Sequence, residues 1–434
     1  MRLLIIGAGP GGYETAVEAA KRGMEVTLIT EGPLGGTCLN EGCIPTKTFC
    51  HYAELIEQNL KAGLDCKPSF AAAVERKQAV IEQLRGGIDM LLKGIDVVQG
   101  RAQFKDAKTV VCNGQEYTAD KIIIATGSVS ASLPIPGAES CITSKEILEL
   151  KEVPASLCVI GGGVIGLEFA SIFRSFGTEV TVLEYCPNIL PRFDVDLAKR
   201  LKQSLSKRSI NIEVQAQVTR IDGNTVTYVK KEQECAVQAS KILMAVGRRP
   251  NTDGLNLEAA GVDYTRKGIT VNDRFETSVP GIYAVGDVTG GIMLAHAATY
   301  QGLHALNAIC GEIDSIRFDL IPAAVFTMPE VATIGLTEEQ CKEHNLEFRC
   351  LKSFYRANGK AVSMDETDGY CKVIVGAEDA ILGAHIMGAH ASDIIHEIAA
   401  AINLGATLEQ LRYVIHAHPT LSEVLQSTIV SFTS

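Results

Sequence analysis

The sequence predicts an α/β fold in three parts, on three observations. One pattern, apolar strand, glycine turn, helix, strand, appears twice, starting at Leu3 and at Leu157. Each turn spaces its glycines as GxGxxG, at Gly7, Gly9 and Gly12 and again at Gly161, Gly163 and Gly166. From about Phe318 the order changes. Strands such as 370–375 and 381–386 then alternate with helices such as 392–403.

The repeated pattern is the Rossmann-like dinucleotide-binding unit. Its glycines let the backbone approach a pyrophosphate, and the helix N-terminus behind them favours negative charge. In the first copy a helix is expected over about 13–22 and a strand over 26–29. In the second, the helix runs to about Phe176 and the strand 179–183 ends in Glu184. Glu184 stands 23 positions after Gly161, near the ~20 expected of an acid that bonds a ribose 2′-hydroxyl. A carboxylate repels a 2′-phosphate, and Tyr185, Cys186 and Pro187 bring no arginine to hold one. NAD is therefore favoured over NADP. The first copy departs from this pattern. Thr30 takes the acid's place and Glu31 follows it, so Glu31 is assigned to the adenosine ribose, with the Thr30 hydroxyl as the other option.

The 434 residues suggest two to four domains. Hydrophobic residues make up 46% of the chain, enough for large cores. Forty Lys and Arg against 51 Asp and Glu leave a net charge of −11, which argues against nucleic-acid or anionic-membrane partners. Thirteen cysteines without framework spacing are expected to be mostly reduced and buried, in a reducing compartment. The chain opens on Leu3-Leu4-Ile5-Ile6 without a charged and apolar leader, so no secretory signal is expected. No apolar run reaches the ~20 residues of a membrane span. A cytoplasmic location is expected.

Between the two copies lies Gly35-Gly36-Thr37-Cys38-Leu39-Asn40-Glu41-Gly42-Cys43-Ile44-Pro45-Thr46-Lys47. Cys38 and Cys43 stand five positions apart, so both can fall near one helical face. A bridge there closes too small a loop to stabilise much, and reads better as chemistry. A zinc half-site uses two intervening residues and a second pair, which the chain lacks. Two unpaired thiols stay an alternative on spacing alone. The segment is expected to open one long helix through about Leu60, with Lys47 on the face of Cys43. A second helix over about 70–92 carries Glu75, Arg76, Lys77, Glu82 and Arg85, read as a solvated face. Strands are expected near 97–104, 109–112 and 116–124, closing on Ala125-Thr126-Gly127-Ser128.

Pro134, Pro136 and Pro154 mark a boundary region. After the second glycine unit, strands are expected near 212–221, 225–229 and 242–245, then Gly247-Arg248-Arg249-Pro250. A later apolar strand ends in Gly286-Asp287. A helix near 294–310 carries His296, read as a packing residue. The chain closes on His416-Ala417-His418-Pro419-Thr420-Leu421-Ser422-Glu423. A carboxylate near an imidazole holds its tautomer and raises its basicity. His416 is read as structural, and no metal is expected.

The run Gly35 to Lys47, with these turns and the C-terminal histidine segment, resembles the flavin-dependent pyridine nucleotide-disulfide oxidoreductases. This is the family of dihydrolipoamide dehydrogenase and glutathione reductase, and the resemblance covers about residues 3–430. It implies FAD in the first unit and NAD in the second. It implies a redox-active Cys38–Cys43 disulfide, with Cys38 meeting the substrate and Cys43 facing the flavin. His418 is then the base and Glu423 its orienter. Cofactor contacts are implied at Gly36, Thr37, Thr126, Gly127, Gly247, Gly286 and Asp287, the last on the ribityl chain. Lys47 is implied beside the flavin's reactive nitrogen, paired with Glu168. The implied domains are 1–150 and 271–317 for FAD, 151–270 for NAD, and 318–434 as an α+β dimerisation domain. A homodimer follows, in which the histidine reaches the partner's disulfide.

Within the family the cysteine run and the terminal segment are most similar to dihydrolipoamide dehydrogenases. That implies a lipoyl dithiol substrate, carried by a 2-oxo acid dehydrogenase or glycine cleavage complex. Glu184 disfavours an NADPH-linked glutathione reductase. The tail 431–434 lacks the cysteine pair of a mercuric reductase. Glu41 stands where the family more often has an apolar residue. Glu41 and Thr30 together keep open a paralogous NADH-dependent reductase of another disulfide. A docking flavoprotein subunit is the reading from another class, and the intact Cys38, Cys43, His418 and Glu423 stand against it.

Overall fold

The computed structural model describes residues 1–64 and 68–430. The tail 431–434, used above to set aside a C-terminal cysteine pair, lies outside the described residues. The chain forms two compact units. One holds residues 1–48, 73–131 and 247–316; the other holds 49–72, 132–246 and 317 onward.

The first unit is built on a five-stranded parallel sheet. Its order is Ile282–Ala284, Lys121–Ile124, β1 (Arg2–Ile6), β2 (Glu25–Thr30) and Asp96–Gln99. Leu3, Leu4, Ile5 and Ile6 are all buried, as continuous apolar strands of a parallel sheet covered on both faces should be. Helix α1 (Pro10–Lys21) follows the glycine turn and packs on the helix Ala295–Cys310. Small residues set their spacing: a Cβ at Gly302 would fall 1.9 Å from the Thr15 Oγ1.

The cysteine segment forms two helices where one was expected: α2 (Gly36–Glu41) and α3 (Cys43–Lys61). Gly42 breaks them, with φ −143° and ψ −110°. A Cβ at Gly42 would come within 3.0 Å of the Thr37 carbonyl oxygen. Cys38 and Cys43 therefore belong to different helices, while Lys47 does sit one turn along from Cys43. At the other end of α2, a Cβ on Gly36 would lie 2.6 Å from the Gly9 Cα, and the Gly35 N–H donates to the Ala8 carbonyl at 2.9 Å. The start of α2 is thus pressed against the first glycine turn.

The helix Phe70–Leu91 corrects part of the solvated-face reading. Glu75, Arg76 and Glu82 are exposed, but Lys77 is buried. Helical spacing puts Lys77 on the stripe of Ala73 and Ile81, both buried. Arg85 turns inward and donates to the Asn40 side-chain oxygen. Two expected strands are each split. Gln103–Phe104 and Gln115–Thr118 leave the parallel sheet for a small antiparallel one around Thr109–Cys112.

The second unit repeats the arrangement in a four-stranded parallel sheet, ordered Ile210–Val214, Glu179–Glu184, Ser156–Ile160 and Lys241–Met244. A three-stranded antiparallel sheet follows: Gln217–Asp222, Thr225–Lys230 and Gln233–Gln238. The C-terminal region is a five-stranded antiparallel sheet, ordered Ala323–Val325, Val331–Gly335, Ile381–Met387, Tyr370–Val375 and Arg349–Phe354. The helix Ala391–Asn403 buries Ile394, Ile395 and Ile398 in its core.

None of the twelve described cysteines is joined in a disulfide. Only Cys112, Cys158, Cys341 and Cys371 are buried, fewer than expected, because the others sit at element ends and half-buried faces where a small side chain fits. Among the described residues, no helix is long and apolar enough to cross a membrane.

Candidate active site

The two glycine turns have nearly the same backbone. Gly7 has φ +108° and Gly161 φ +111°, and a Cβ on either would lie 2.3 Å from a carbonyl oxygen, that of Ala125 or of Ala245. Gly12 and Gly166 face those same turns, where a Cβ would come 1.8 and 2.1 Å from the carbonyl oxygens of Gly7 and Gly161. The middle glycines differ from these: at Gly9 and Gly163 a Cβ would meet nothing within 4 Å. Each turn is therefore closed by its outer glycines and open at its centre, in front of a helix N-terminus.

The strands that follow end differently. Glu184 is buried, and its carboxylate accepts the Gly162 and Cys186 N–H groups, each at 2.6 Å. Thr30, at the matching place in β2, is also buried, and its hydroxyl donates to the Gly32 carbonyl at 3.0 Å. Glu31 is exposed beyond the strand end.

Cys38 is half-buried on α2 and Cys43 is exposed at the start of α3. The Cys38 thiol is hydrogen-bonded to Cys43, which pushes its pKa far up, with burial and charge on Cys43 acting the same way. Lys47 opposes these effects. The pair is thus asymmetric: Cys38 is half-buried with its pKa pushed up, and Cys43 is exposed. Thr37 is exposed next to Cys38, and Glu41 closes α2.

Asp287 and Arg248 meet in the same unit. The Ser128 hydroxyl donates to Asp287 at 2.5 Å and accepts from the Arg248 Nε at 2.7 Å. Arg248 also donates to the Ser128 carbonyl at 2.7 Å. Burial holds the Arg248 pKa below its ordinary value, against the fields of Asp287, Cys43 and Glu41. Arg249 is instead at the surface, bonded to Asp253 at 2.7 Å. The Thr126 hydroxyl donates to the Asn251 carbonyl at 2.7 Å. Gly127 and Gly247 keep open space where a Cβ would go, and Gly286 precedes Asp287 with φ +75°.

In the second unit Glu168 is buried and accepts the Phe326 N–H at 3.0 Å. His418 is exposed, and its Nδ1 lies 2.9 Å from the Glu423 Oε1. The other carboxylate oxygen accepts the Thr420 N–H at 2.8 Å. That backbone donor, then His418, holds the Glu423 carboxyl below its usual range. An ionised carboxylate only accepts, so Nδ1 carries the proton and Nε2 presents a lone pair. His416 is occupied otherwise, with Nε2 at 2.8 Å from Glu397 and Nδ1 at 3.2 Å from the Val414 carbonyl. Among the described residues, no cluster of three or more His, Cys, Asp or Glu is set to hold a metal.

Sequence reasoning missed Ser128 and Arg248, whose partners lie more than a hundred residues away. It also missed Tyr13, whose hydroxyl donates to Glu14 at 2.9 Å and feels charge at Cys38.

A family model described as pyridine nucleotide-disulphide oxidoreductase matches residues 1–302, and one for that family's dimerisation domain matches residues 321–429. The dihydrolipoyl dehydrogenase of Geobacillus stearothermophilus is 42% identical over 440 residues, covering 97% of this chain and 94% of that protein. That of Bacillus subtilis (strain 168) is 43% identical over 442 residues, covering 97% and 94%. Among solved structures, the HOCl-induced flavoprotein disulfide reductase RclA from Escherichia coli superposes with TM-score 0.91 at 33% identity, over 100% of both chains. Two repeated glycine-turn units, a thiol pair five residues apart and these relatives lead to one conclusion: the chain belongs to the pyridine nucleotide-disulphide oxidoreductases, as an FAD- and NAD-dependent flavoprotein of the dihydrolipoyl dehydrogenase type with a dimerisation domain.

Proposed function

We propose that this enzyme oxidises dihydrolipoamide to lipoamide with NAD⁺ as acceptor, as a homodimer serving a 2-oxo acid dehydrogenase or glycine cleavage complex. The observation that carries it is the thiol pair itself: Cys38 half-buried on α2, hydrogen-bonded to the exposed Cys43 at the start of α3. The names of the relatives point to the dithiol.

The open-centred turns suit two dinucleotides. FAD belongs to the turn at Gly7, Gly9 and Gly12, with Gly36, Thr37, Lys47, Thr126, Gly127, Gly286 and Asp287, and with Thr30 or Glu31 near the adenosine ribose. NAD belongs to Gly161, Gly163 and Gly166, with Glu184 and Gly247, and Glu168 keeps the flavin-side role that the resemblance implies. Bound together, the two cofactors supply hydride chemistry. Residues 1–150 and 271–317 then serve FAD, 151–270 NAD, and 318–434 dimerisation.

The chain's own residues handle sulfur and protons. His418 takes a proton from the substrate dithiol at Nε2, since the thiolate is the nucleophile. Glu423 holds the ring and balances the imidazolium. The substrate thiolate attacks Cys38 of the disulfide, and the Cys38–Cys43 bond breaks with its electron pair on Cys43. The substrate's second sulfur then attacks the mixed disulfide, closes the substrate ring and releases Cys38, which takes up the proton that this second thiol gives off. The His418 and Cys38 steps join across two subunits.

A second reading has one observation behind it. RclA, a different disulfide reductase, matches over the whole chain. The second reading is an NADH-dependent reductase of another disulfide. The test is NAD⁺ reduction on mixing enzyme with dihydrolipoamide. Turnover of at least ~10 s⁻¹ is expected. Flavin reduction by NADH with no turnover of lipoamide in either direction contradicts the proposal and favours the paralogue.

A further inference from the structure

Lys372 is the one charged residue of the strand Tyr370–Val375, an inner strand of the C-terminal sheet that is buried along its whole length. Its side chain is 0% exposed. An ammonium group in that place needs partners. It donates to Asp194 at 2.6 Å and to Glu338 at 3.2 Å. Asp194 is just as buried, and both residues belong to the second compact unit. Burial opposes both charges. Even so, the Lys372 pKa is raised, by its bond to Asp194, and the Asp194 pKa is lowered, by His385 and Lys372. His385, paired with Lys372 in the next strand, is itself pushed down to about 4 by burial and is uncharged near neutral pH. Lys372 is therefore the cation that balances Asp194. Its partner in the strand on the other side, Lys352, is bonded to Asp196 at 2.8 Å.

Asp194 caps the helix Val195–Lys207 and accepts the Leu197 N–H at 3.2 Å. It also ends the loop 185–194, which starts beside Glu184, the acid assigned to the NAD ribose. That loop lies on the second glycine turn. Glu184 accepts the Gly162 and Cys186 N–H groups, and the Leu190 N–H donates to the Gly162 carbonyl at 2.9 Å. Leu190 is buried at φ +47°, a left-handed conformation that a leucine keeps only where its surroundings impose it. Two buried carboxylates thus bracket a strained loop. Glu184 fastens one end to the turn, and Asp194 fastens the other to the strand that carries Lys372. We propose that Lys372 is a positioning residue for the NAD site: through Asp194 it fixes the loop 185–194, and with it the Glu184 carboxylate. The C-terminal sheet then sets affinity for the dinucleotide without touching it. The inference rests on NAD occupying the turn at Gly161.

The test is a calorimetric titration of the purified holoenzyme with ADP-ribose, which carries the adenosine ribose and accepts no hydride. Asp194→Asn keeps an acceptor for the Leu197 N–H and drops the charge. It is expected to weaken ADP-ribose about tenfold, with the KM for NAD⁺ rising in step. Flavin content, and kcat at saturating NAD⁺, are expected to change less than about twofold. Lys372→Met alone strands a buried carboxylate, so it is made together with Asp194→Asn. That double variant leaves Glu338 with Lys342 at 3.0 Å and carries the test if the single variant does not fold. Its ADP-ribose affinity is expected to match that of Asp194→Asn, because both break the same pair. Asp196→Asn cuts the neighbouring bond to Lys352, outside the loop, and is expected to leave ADP-ribose within about twofold. A residue that only stabilises the fold lowers the melting temperature and leaves ADP-ribose affinity unchanged. That result, or an equal loss in Asp196→Asn, overturns the inference alone. A wild type that binds no ADP-ribose overturns it together with the NAD assignment. If the affinities shift as expected while dihydrolipoamide is inert, the proposed substrate falls and the role of Lys372 stands.

Discussion

The turn at Gly7 and the turn at Gly161 differ by 3° in φ, 108° against 111°, yet the strands behind them end in different chemistry. Glu184 folds back on its own turn and accepts two backbone N–H groups. Thr30 gives its hydroxyl to Gly32 and leaves the turn without a carboxylate. Backbone geometry is set by the glycines, which no other residue replaces at these contacts. Side-chain chemistry at the strand end is set separately. The first unit therefore keeps the fold of the second without its acid.

The largest expected effects test the shared part. Gly7→Ala and Gly161→Ala each force a Cβ to 2.3 Å from a carbonyl at positive φ, costing about 3 kcal/mol or more locally. Gly7→Ala is expected to purify with little flavin, read from the flavin-to-protein absorbance ratio. Gly161→Ala is expected to stay yellow but fail to be reduced by NADH. Loss of the same cofactor from both variants breaks the assignment of the two turns.

Smaller effects test the difference. Glu184→Gln weakens charged acceptance of two N–H groups, worth about 1.5–3 kcal/mol. The KM for NADH is expected to rise at least tenfold while flavin content holds. Thr30→Ala is expected to weaken FAD by no more than about fivefold, in a fluorescence titration of apoprotein. An empty flavin site in Thr30→Ala contradicts the comparison.

The smallest effect concerns the residue after the first glycine. A Cβ at Gly162 would lie 3.1 Å from the Glu184 Oε2. Gly162→Ala is expected to raise the KM for NADH a few-fold as the carboxylate shifts. Ala8→Gly, with no acid to crowd, is expected to leave FAD affinity within about twofold. Equal responses in the two units show that the strand-end residue does not matter.

Local pattern made much of this legible. The strand Tyr370–Val375 was read at its observed bounds, and Glu184 at the end of its strand, because apolar runs bounded by turn residues leave little choice. The glycine turns and the thiol pair were readable for the same reason. What failed depends on contacts distant in sequence or on faces that composition hides. The helix break at Gly42 follows from the approach to the Thr37 carbonyl, which spacing does not show. The strand Gln233–Gln238 is the outer strand of its sheet and buries none of its residues, so its short run Cys235-Ala236-Val237 is too brief to mark it in the sequence. Arg248 looks like half of a surface pair until Ser128, 120 residues away, takes it inward.

The unequal thiols are the centre of the account, and an anaerobic titration of the yellow protein with dihydrolipoamide tests them most directly. The predicted result is a long-wavelength thiolate–flavin absorbance in wild type, present without substrate in Cys38→Ser and absent in Cys43→Ser. Absorbance that survives Cys43→Ser, or a wild-type spectrum that no dithiol changes, contradicts the account.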